Sequence, residues 1–243
     1  SLYLNWPVQK GAQFLSEDGM EVRIAEPPNI EALRWEAELF EKLGGEDLIE
    51  KRASFGYGTQ HGFIGGELSM IVQKSSFVQE IEKFAPDLNY GVARLPIPGD
   101  GKPGVIAGPV WIGIPRGAEH PEAAWEFIKF YTQSDVQARA AEYIAEQNLA
   151  AFFPADIEAA NSPAVKSQPH MDVFVESMKW AHPSTVVPLA HTQFWRAYQE
   201  AWDAAMRGEM TPKEALERAE AEVQQALDNQ LEYNEFYLEQ LEE

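Results

Sequence analysis

The sequence predicts an α/β chain, built as one large core or as two lobes, and three observations carry that reading. Segments with apolar residues at helical spacing recur along the chain, separated by short β-branched runs. Apolar residues make up 45% of the 243 positions, enough to fill a sizeable core. Residues 99–104 (Gly-Asp-Gly-Lys-Pro-Gly) concentrate turn formers and read as the clearest linker.

Taken in order, Ile30, Leu33, Ala37, Phe40 and Leu43 share one helical face. Pro27-Pro28 precedes them and Gly44-Gly45 stops them, which predicts a helix over 29–43. A glycine-punctuated stretch runs from Gly56 to Gly66, and Leu68–Val72 then reads as a short buried strand. Ser75 or Ser76 can cap a helix carrying Phe77, Val78, Ile81 and Phe84. Tyr90–Leu95 alternates weakly before Pro96 and reads as a strand leaving a sheet.

Beyond the linker, Val105–Ile114 is an apolar, β-branched run closed by Pro115, so another strand. Pro121 opens a helix with Ala124, Trp125, Ile128 and Tyr131 on one face, and Asp135 starts a second near 135–147. A proline-containing loop at 152–154 leads into helices near 168–180 and 192–207 and a long final helix. That last helix has a defined start: Thr211-Pro212-Lys213-Glu214 is a capping box with proline at the first helical position.

Charge narrows the partners. With 19 basic and 39 acidic residues the net charge is −20, which repels nucleic-acid backbones and anionic bilayers. The absence of cysteine excludes disulfides, thiolate metal sites and thiol catalysis. No run of 18 apolar residues is present to span a membrane. From Glu209 to Glu243 there are eleven acidic and two basic residues, read as a solvated helix face or as a docking tail for a basic partner.

Catalytic patterns do not emerge. The five histidines (His61, His120, His170, His182, His191) show no metal-ligand spacing, and no nucleophile elbow occurs. Gly56-Tyr57-Gly58 starts like a dinucleotide fingerprint without its third glycine or a preceding strand. Carboxylates are abundant, but no two are singled out as a glycosidase pair. No catalytic residue, metal or cofactor is assigned.

Aromatic placement is the positive signal. Tyr3 and Trp6 sit at a loop or helix entry, Trp111 in Gly108-Pro109-Val110-Trp111, and Trp195 at a helix start. Flat rings at such positions suit the C–H face of a sugar, with neighbouring polar groups taking its hydroxyls. Trp35, Trp125, Trp180 and Trp202 read instead as core or its edge.

Ordered short matches add a resemblance. Gly66-Glu67-Leu68-Ser69-Met70 followed by Gly91-Val92-Ala93-Arg94-Leu95-Pro96 resembles a succession found in extracellular solute-binding proteins of ABC sugar importers, the maltose-binding-protein-like family. Pro121–Ile128, then Val187-Pro188 through Trp195, then Gly208–Leu216, resemble later segments of the same family in the same order. The resemblance implies a type II periplasmic-binding-protein-like fold of two hinged lobes, here a C-terminal portion with most of the first lobe absent. Residues 1–103 would then belong to the second lobe, 104–152 would cross into the first, and 153–243 would return. It also implies a ligand site using Tyr3, Trp195 and the glycine loop at Gly108 with Trp111 nearby. Where relatives carry a stacking tryptophan, this chain reads Ser76, with Phe77 one position off.

The implied function is the substrate-binding component of a carbohydrate ABC transporter. It takes a sugar or oligosaccharide in an interlobe cleft, hands it to permease subunits and performs no bond chemistry. Its expected place is periplasmic or extracellular, monomeric, with a lipid anchor open for the intact precursor. These 243 residues alone are expected to bind sugar weakly or not at all. Alternatives left open are a receptor for a non-sugar solute (polyamine, metal or anion), a glycoside-acting enzyme, and a docking module built on the acidic helix.

Overall fold

Two long helices near the C-terminus organise the core of the computed structural model, which describes residues 4–108, 110–147, 153–184 and 186–242. The elements in chain order begin with α1 (Asn5–Gln9), α2 (Pro27–Lys42), α3 (Glu46–Ala53) and α4 (Phe77–Phe84). Then come β1 (Val105–Ala107), α5 (Pro121–Tyr131), α6 (Ser134–Glu146), α7 (Ile157–Ala160), α8 (Pro163–Lys166) and α9 (Met171–Ser177). β2 (Ala181–Pro183), α10 (His191–Met206) and α11 (Pro212–Glu242) complete the described part.

α10 and α11 fold back on each other across the turn at 207–211. On α10, Phe194, Ala197, Tyr198, Ala201 and Ala205 are buried, and they meet Ala215, Leu216, Ala219, Val223 and Leu227 of α11. The small alanines let the two backbones approach closely while Phe194, Tyr198 and Leu216 fill the space between the alanines. The turn closes with a Schellman pattern: Gly208 N–H donates to Ala205 O at 3.1 Å and Glu209 N–H to Ala204 O at 2.9 Å. Gly208 adopts the left-handed φ of +67° that this pattern requires.

The expected capping box forms as read. Glu214 N–H donates to Thr211 Oγ1 at 3.2 Å, and the Glu214 carboxylate accepts from Thr211 N–H and from the Thr211 hydroxyl. Those hydrogen bonds, the hydroxyl's first, hold the Glu214 carboxyl below its usual pKa. Thr211→Ala is therefore expected to cost about 1 kcal/mol, visible as a lower thermal midpoint.

α2 and α1 pack onto this pair, adding Leu4, Val8, Ile24 and Leu33 to the same core. A turn between them is tied by an antiparallel bridge from Leu15 to Val22, and Ser16 Oγ accepts from Glu21 N–H at 2.8 Å. β1 and β2 pair in parallel, Val105 opposite Ala181 and Ala107 opposite Pro183. Two smaller clusters stand apart from the main core. One gathers Ile64, Phe77 and Ile81, the other Ala141, Val165 and Met171.

Differences from the sequence reading concern strands, one helix face and the helices α3, α7 and α8, which it did not name. Neither 68–72 nor 90–95 is a strand, and the strand expected over 105–114 is three residues long. Apolar, β-branched residues mark a segment that can pair, but a strand forms only where a second backbone lies alongside. At 68–72 none does, and Met70 is 85% exposed. The cap at Ser76 also differs: its backbone is already helical and its side chain makes no capping bond. α5 has its expected bounds but buries no residue, and Trp125, expected in the core, is 53% exposed.

Candidate functional site

The C-terminal ends of the two parallel strands lead toward Gly108 on one side and toward the start of α10, with Trp195, on the other. α1 sets this up. Its Gln9 side chain donates to Gly104 O at 3.2 Å, and its Asn5 Oδ1 accepts from Ile106 N–H at 2.8 Å. β1 therefore runs along α1 from its last residue toward its first. Lys102 N–H donates to Gln9 O at 2.8 Å, and a Cβ on Gly101 would sit 2.9 Å from that same oxygen. Only glycine allows the linker so close to α1.

A charge clamp holds the same linker. Lys10 Nζ lies 2.7 Å from Asp100 and 3.2 Å from Glu31. The hydrogen bond to Asp100 raises the Lys10 pKa and lowers that of Asp100. The Asp100 carboxylate faces solvent, which screens the pair, so it fixes geometry more than it adds stability.

At the far end of β1, Ser184 N–H donates to Ala107 O at 2.9 Å, continuing the pairing one residue past β2. Gly108 follows directly and is exposed, and a Cβ built on it would come within 3.6 Å of Ser184 Oγ. Trp111 stands three residues on, 74% exposed. From β2 the chain passes through a single 3-10 turn at Pro188–Ala190 into α10. His191 opens that helix with its Nδ1 shut off from solvent and unpartnered among the described residues. One turn later, Trp195 lies half-buried, its ring edge-on to His191 at 6.2 Å and to Phe194 at 5.4 Å. Ile106 of β1 and Trp195 both pack against the main core, and Ser184 links the end of β1 to the segment that leads into α10.

Open α/β sheets expose their ligand crevice beyond the carboxyl ends of parallel strands, as at the ends of β1 and β2. Around the strand ends the chain carries a half-buried indole (Trp195), an exposed glycine backbone (Gly108), a serine hydroxyl (Ser184) and a helix N-terminus, and the exposed Trp111 follows Gly108 three positions on in sequence. Those groups suit a neutral ligand with an apolar face and several hydroxyls. Asn5 and Ser184 escaped the sequence reading because their roles depend on the strand register, which pairs positions about 80 to 100 residues apart.

The remaining expected residues fall elsewhere. Tyr3 lies outside the described residues, next to Leu4–Asn5 at the start of α1. Ser76 precedes α4, and Phe77, 6% exposed, packs with Ile64 and Ile81, its ring 4.4 Å from His61. Phe77 therefore anchors α4 and offers no free face. Trp35 pairs edge-on with Trp6 at 5.0 Å, and Trp180 carries the Arg94 guanidinium 5.2 Å above its ring. Among the described residues no cluster of three metal-ligating side chains occurs, and no helix is long and apolar enough to cross a membrane.

Comparison with solved structures gives the same architecture at low identity. A mannobiose-bound protein, CpMnBP1, superposes with a TM-score of 0.71 at 20% identity, over 91% of this chain and 56% of its own. The sugar-binding protein MalE from Xanthomonas citri superposes at 0.75 and 18% identity, over 96% of this chain and 57% of its own. A solute-binding protein of an ABC transporter from Thermotoga lettingae, bound with α-D-tagatose, reaches 0.64 at 20% identity, over 93% of this chain and 56% of its own. These likenesses establish the periplasmic-binding-protein-like fold, and the chain spans a little over half the length of the structures it matches. The profile of bacterial extracellular solute-binding proteins matches residues 30–173, more than half of the chain. The chain therefore belongs to the bacterial extracellular solute-binding protein family.

Proposed function

We propose that this chain is the C-terminal portion of a carbohydrate receptor that serves an ABC importer. The supporting observation is the fold of sugar-bound solute-binding structures, with the exposed Gly108 at the end of β1 and the half-buried Trp195 one turn into α10. Structures of the same fold hold mannobiose and tagatose, which supports a sugar as the ligand. In this reading Trp195 stacks on a pyranose face, Trp111 and Tyr3 extend the apolar contact, and Ser184 with the Gly108 backbone takes hydroxyls. Sugar binding selects a closed arrangement of two lobes, which docks on permease subunits outside the cell membrane. The sugar leaves unaltered, so a chromogenic glycoside panel is expected to show no turnover.

Residues 1–103 and 153–243 form one lobe in this proposal, and 104–152 cross into the other. The uncovered helix α5 supports it: Trp125 on one side and Phe127 and Phe130 on the other are all more than half exposed. Aromatic residues in that number on one helix ask for a covering surface.

Intrinsic-fluorescence titration tests the reading. The 243-residue chain is expected to respond saturably to mannobiose with weak, roughly millimolar affinity, since it spans only part of the receptor fold. Trp195→Ala should remove the response. No response of the intact receptor to any of a panel of disaccharides overturns the sugar assignment, and a response of the chain that survives Trp195→Ala overturns the role of that ring. Micromolar affinity would show that the site needs no second lobe.

A further inference from the structure

The indole on which the sugar reading depends is bounded by two neighbouring rings. Trp195 lies one turn into α10, and a helical side chain leans back over the turn that precedes its own Cα. The residues an indole there can cover are the two that lie three and four positions before it, Thr192 and His191. Thr192 is exposed. His191 is half-buried, and its imidazole stands nearly perpendicular to the indole, with 81° between the planes and 6.2 Å between ring centroids. Phe194 adds a second perpendicular contact, at 82° and 5.4 Å.

The two rings are placed by different means. Phe194 has no exposed surface and stacks on Tyr198 at 5.5 Å, so it is a fixed wall of the core. His191 opens the helix directly after the 3-10 turn Pro188–Ala190, whose Ala190 is buried. Its Nδ1 is closed to solvent and has no hydrogen-bond partner among the described residues. A buried nitrogen without a partner costs stability, so that atom gives no reason for an imidazole at this position. The ring contact with Trp195 does.

An indole on a helix has two χ1 positions open to it and a broad χ2, so the backbone alone does not choose its orientation. Perpendicular rings on both sides do choose, because aromatic pairs favour that arrangement and a swing of the indole gives up a contact. A ring fixed before the ligand arrives removes an ordering cost from binding. We propose that His191 is a positioning residue, which together with Phe194 holds the Trp195 indole in a single orientation ready to stack on a sugar face. The proposal rests on the reading of Trp195 as the stacking ring, and it requires no contact between His191 and the ligand.

Fluorine NMR of the chain labelled with fluorotryptophan tests this, the Trp195 resonance being the one lost in Trp195→Phe. Wild type is expected to show one sharp Trp195 line. His191→Ala should split or broaden it. His191→Phe keeps a ring in place and drops the unpartnered nitrogen, so it should restore a single sharp line. Mannobiose titration of the same proteins should show about three- to tenfold weaker binding in His191→Ala and roughly wild-type affinity in His191→Phe. A Trp195 line that stays single and sharp in His191→Ala overturns the proposal, as does a line that His191→Phe fails to restore. A broadened line with unchanged mannobiose affinity also overturns it, since the orientation would then not serve the ligand. If His191→Ala does not fold by circular dichroism, His191→Ser, a residue suited to a helix start, is read in the same way. The resonances are recorded without sugar. Absence of mannobiose binding by wild type therefore counts against the sugar reading, while the line shape still decides whether His191 holds the ring.

Discussion

Phe194→Ala is expected to lower the stability of the chain by about 3–5 kcal/mol, the cost of a large cavity in a core that cannot collapse. The ring has no exposed surface. It stacks on Tyr198 at 5.5 Å and meets Phe14 edge-on at 5.6 Å. Phe14, α10 and α11 all converge on it, so no single neighbour can move in to fill the gap. The same substitution should loosen the candidate ligand site, because Trp195 rests edge-on against Phe194. Urea unfolding measures the first effect as a fall in midpoint with unchanged slope. A loss below about 1 kcal/mol would mean that the α10–α11 core is not packed as described.

The second large effect concerns Glu36, on the face of α2 toward α10. Its Oε2 accepts from Trp202 Nε1 at 2.5 Å, while Oε1 is closed to solvent and unpartnered among the described residues. Burial raises the Glu36 carboxyl from its usual 4.5 to about 8, and the Trp202 bond opposes that only in part. Tyr198, fully buried nearby, is also raised, first by burial and then by the charge on Glu36. The sign follows from which state holds the proton. Between 4.5 and about 8 the folded chain is protonated at Glu36 and the unfolded chain is not, so stability falls as pH rises through that window. Glu36→Gln keeps the shape and removes the charge. It should flatten the pH dependence and leave the chain about 2 kcal/mol more stable than wild type near pH 9, well under the full linkage value because neighbours relax. Thermal midpoints of both proteins across that range check it, and parallel curves would show that Glu36 is solvated.

Helices were legible wherever periodicity and end signals agreed. α2 is one such case, with apolar residues at helical spacing and a double proline before them. α11 is another, with its capping box realised atom for atom. α10 was legible too, within a residue or two at either end. These elements rest on interactions within a few positions of one another, which a linear reading contains. Strands were not legible to the same degree. Val105–Ile114 has the composition of a strand throughout, yet only Val105–Ala107 finds a partner, at Ala181–Pro183. Composition states what a segment tolerates, and pairing depends on what lies beside it.

The candidate site divides along the same line. Trp195 and Trp111 could be named from ring type and local sequence and Gly108 from the family resemblance, and the fold sets Gly108 at the end of β1 and Trp195 one turn into α10. Phe77 looked equivalent on paper and is spent on holding α4 against Ile64 and Ile81.

By itself the sequence determined the helical framework, the capping of α11, the net charge of −20 and the family signature in its ordered short matches. Tertiary structure alone decided the rest. It brought Asn5 to Ile106 across 101 positions and Glu36 to Trp202 across 166, and left α5 uncovered. The physical reason is range. Helix formation and capping depend on neighbours within one turn, whereas burial, strand pairing and the desolvation of a carboxyl depend on segments that only folding brings together.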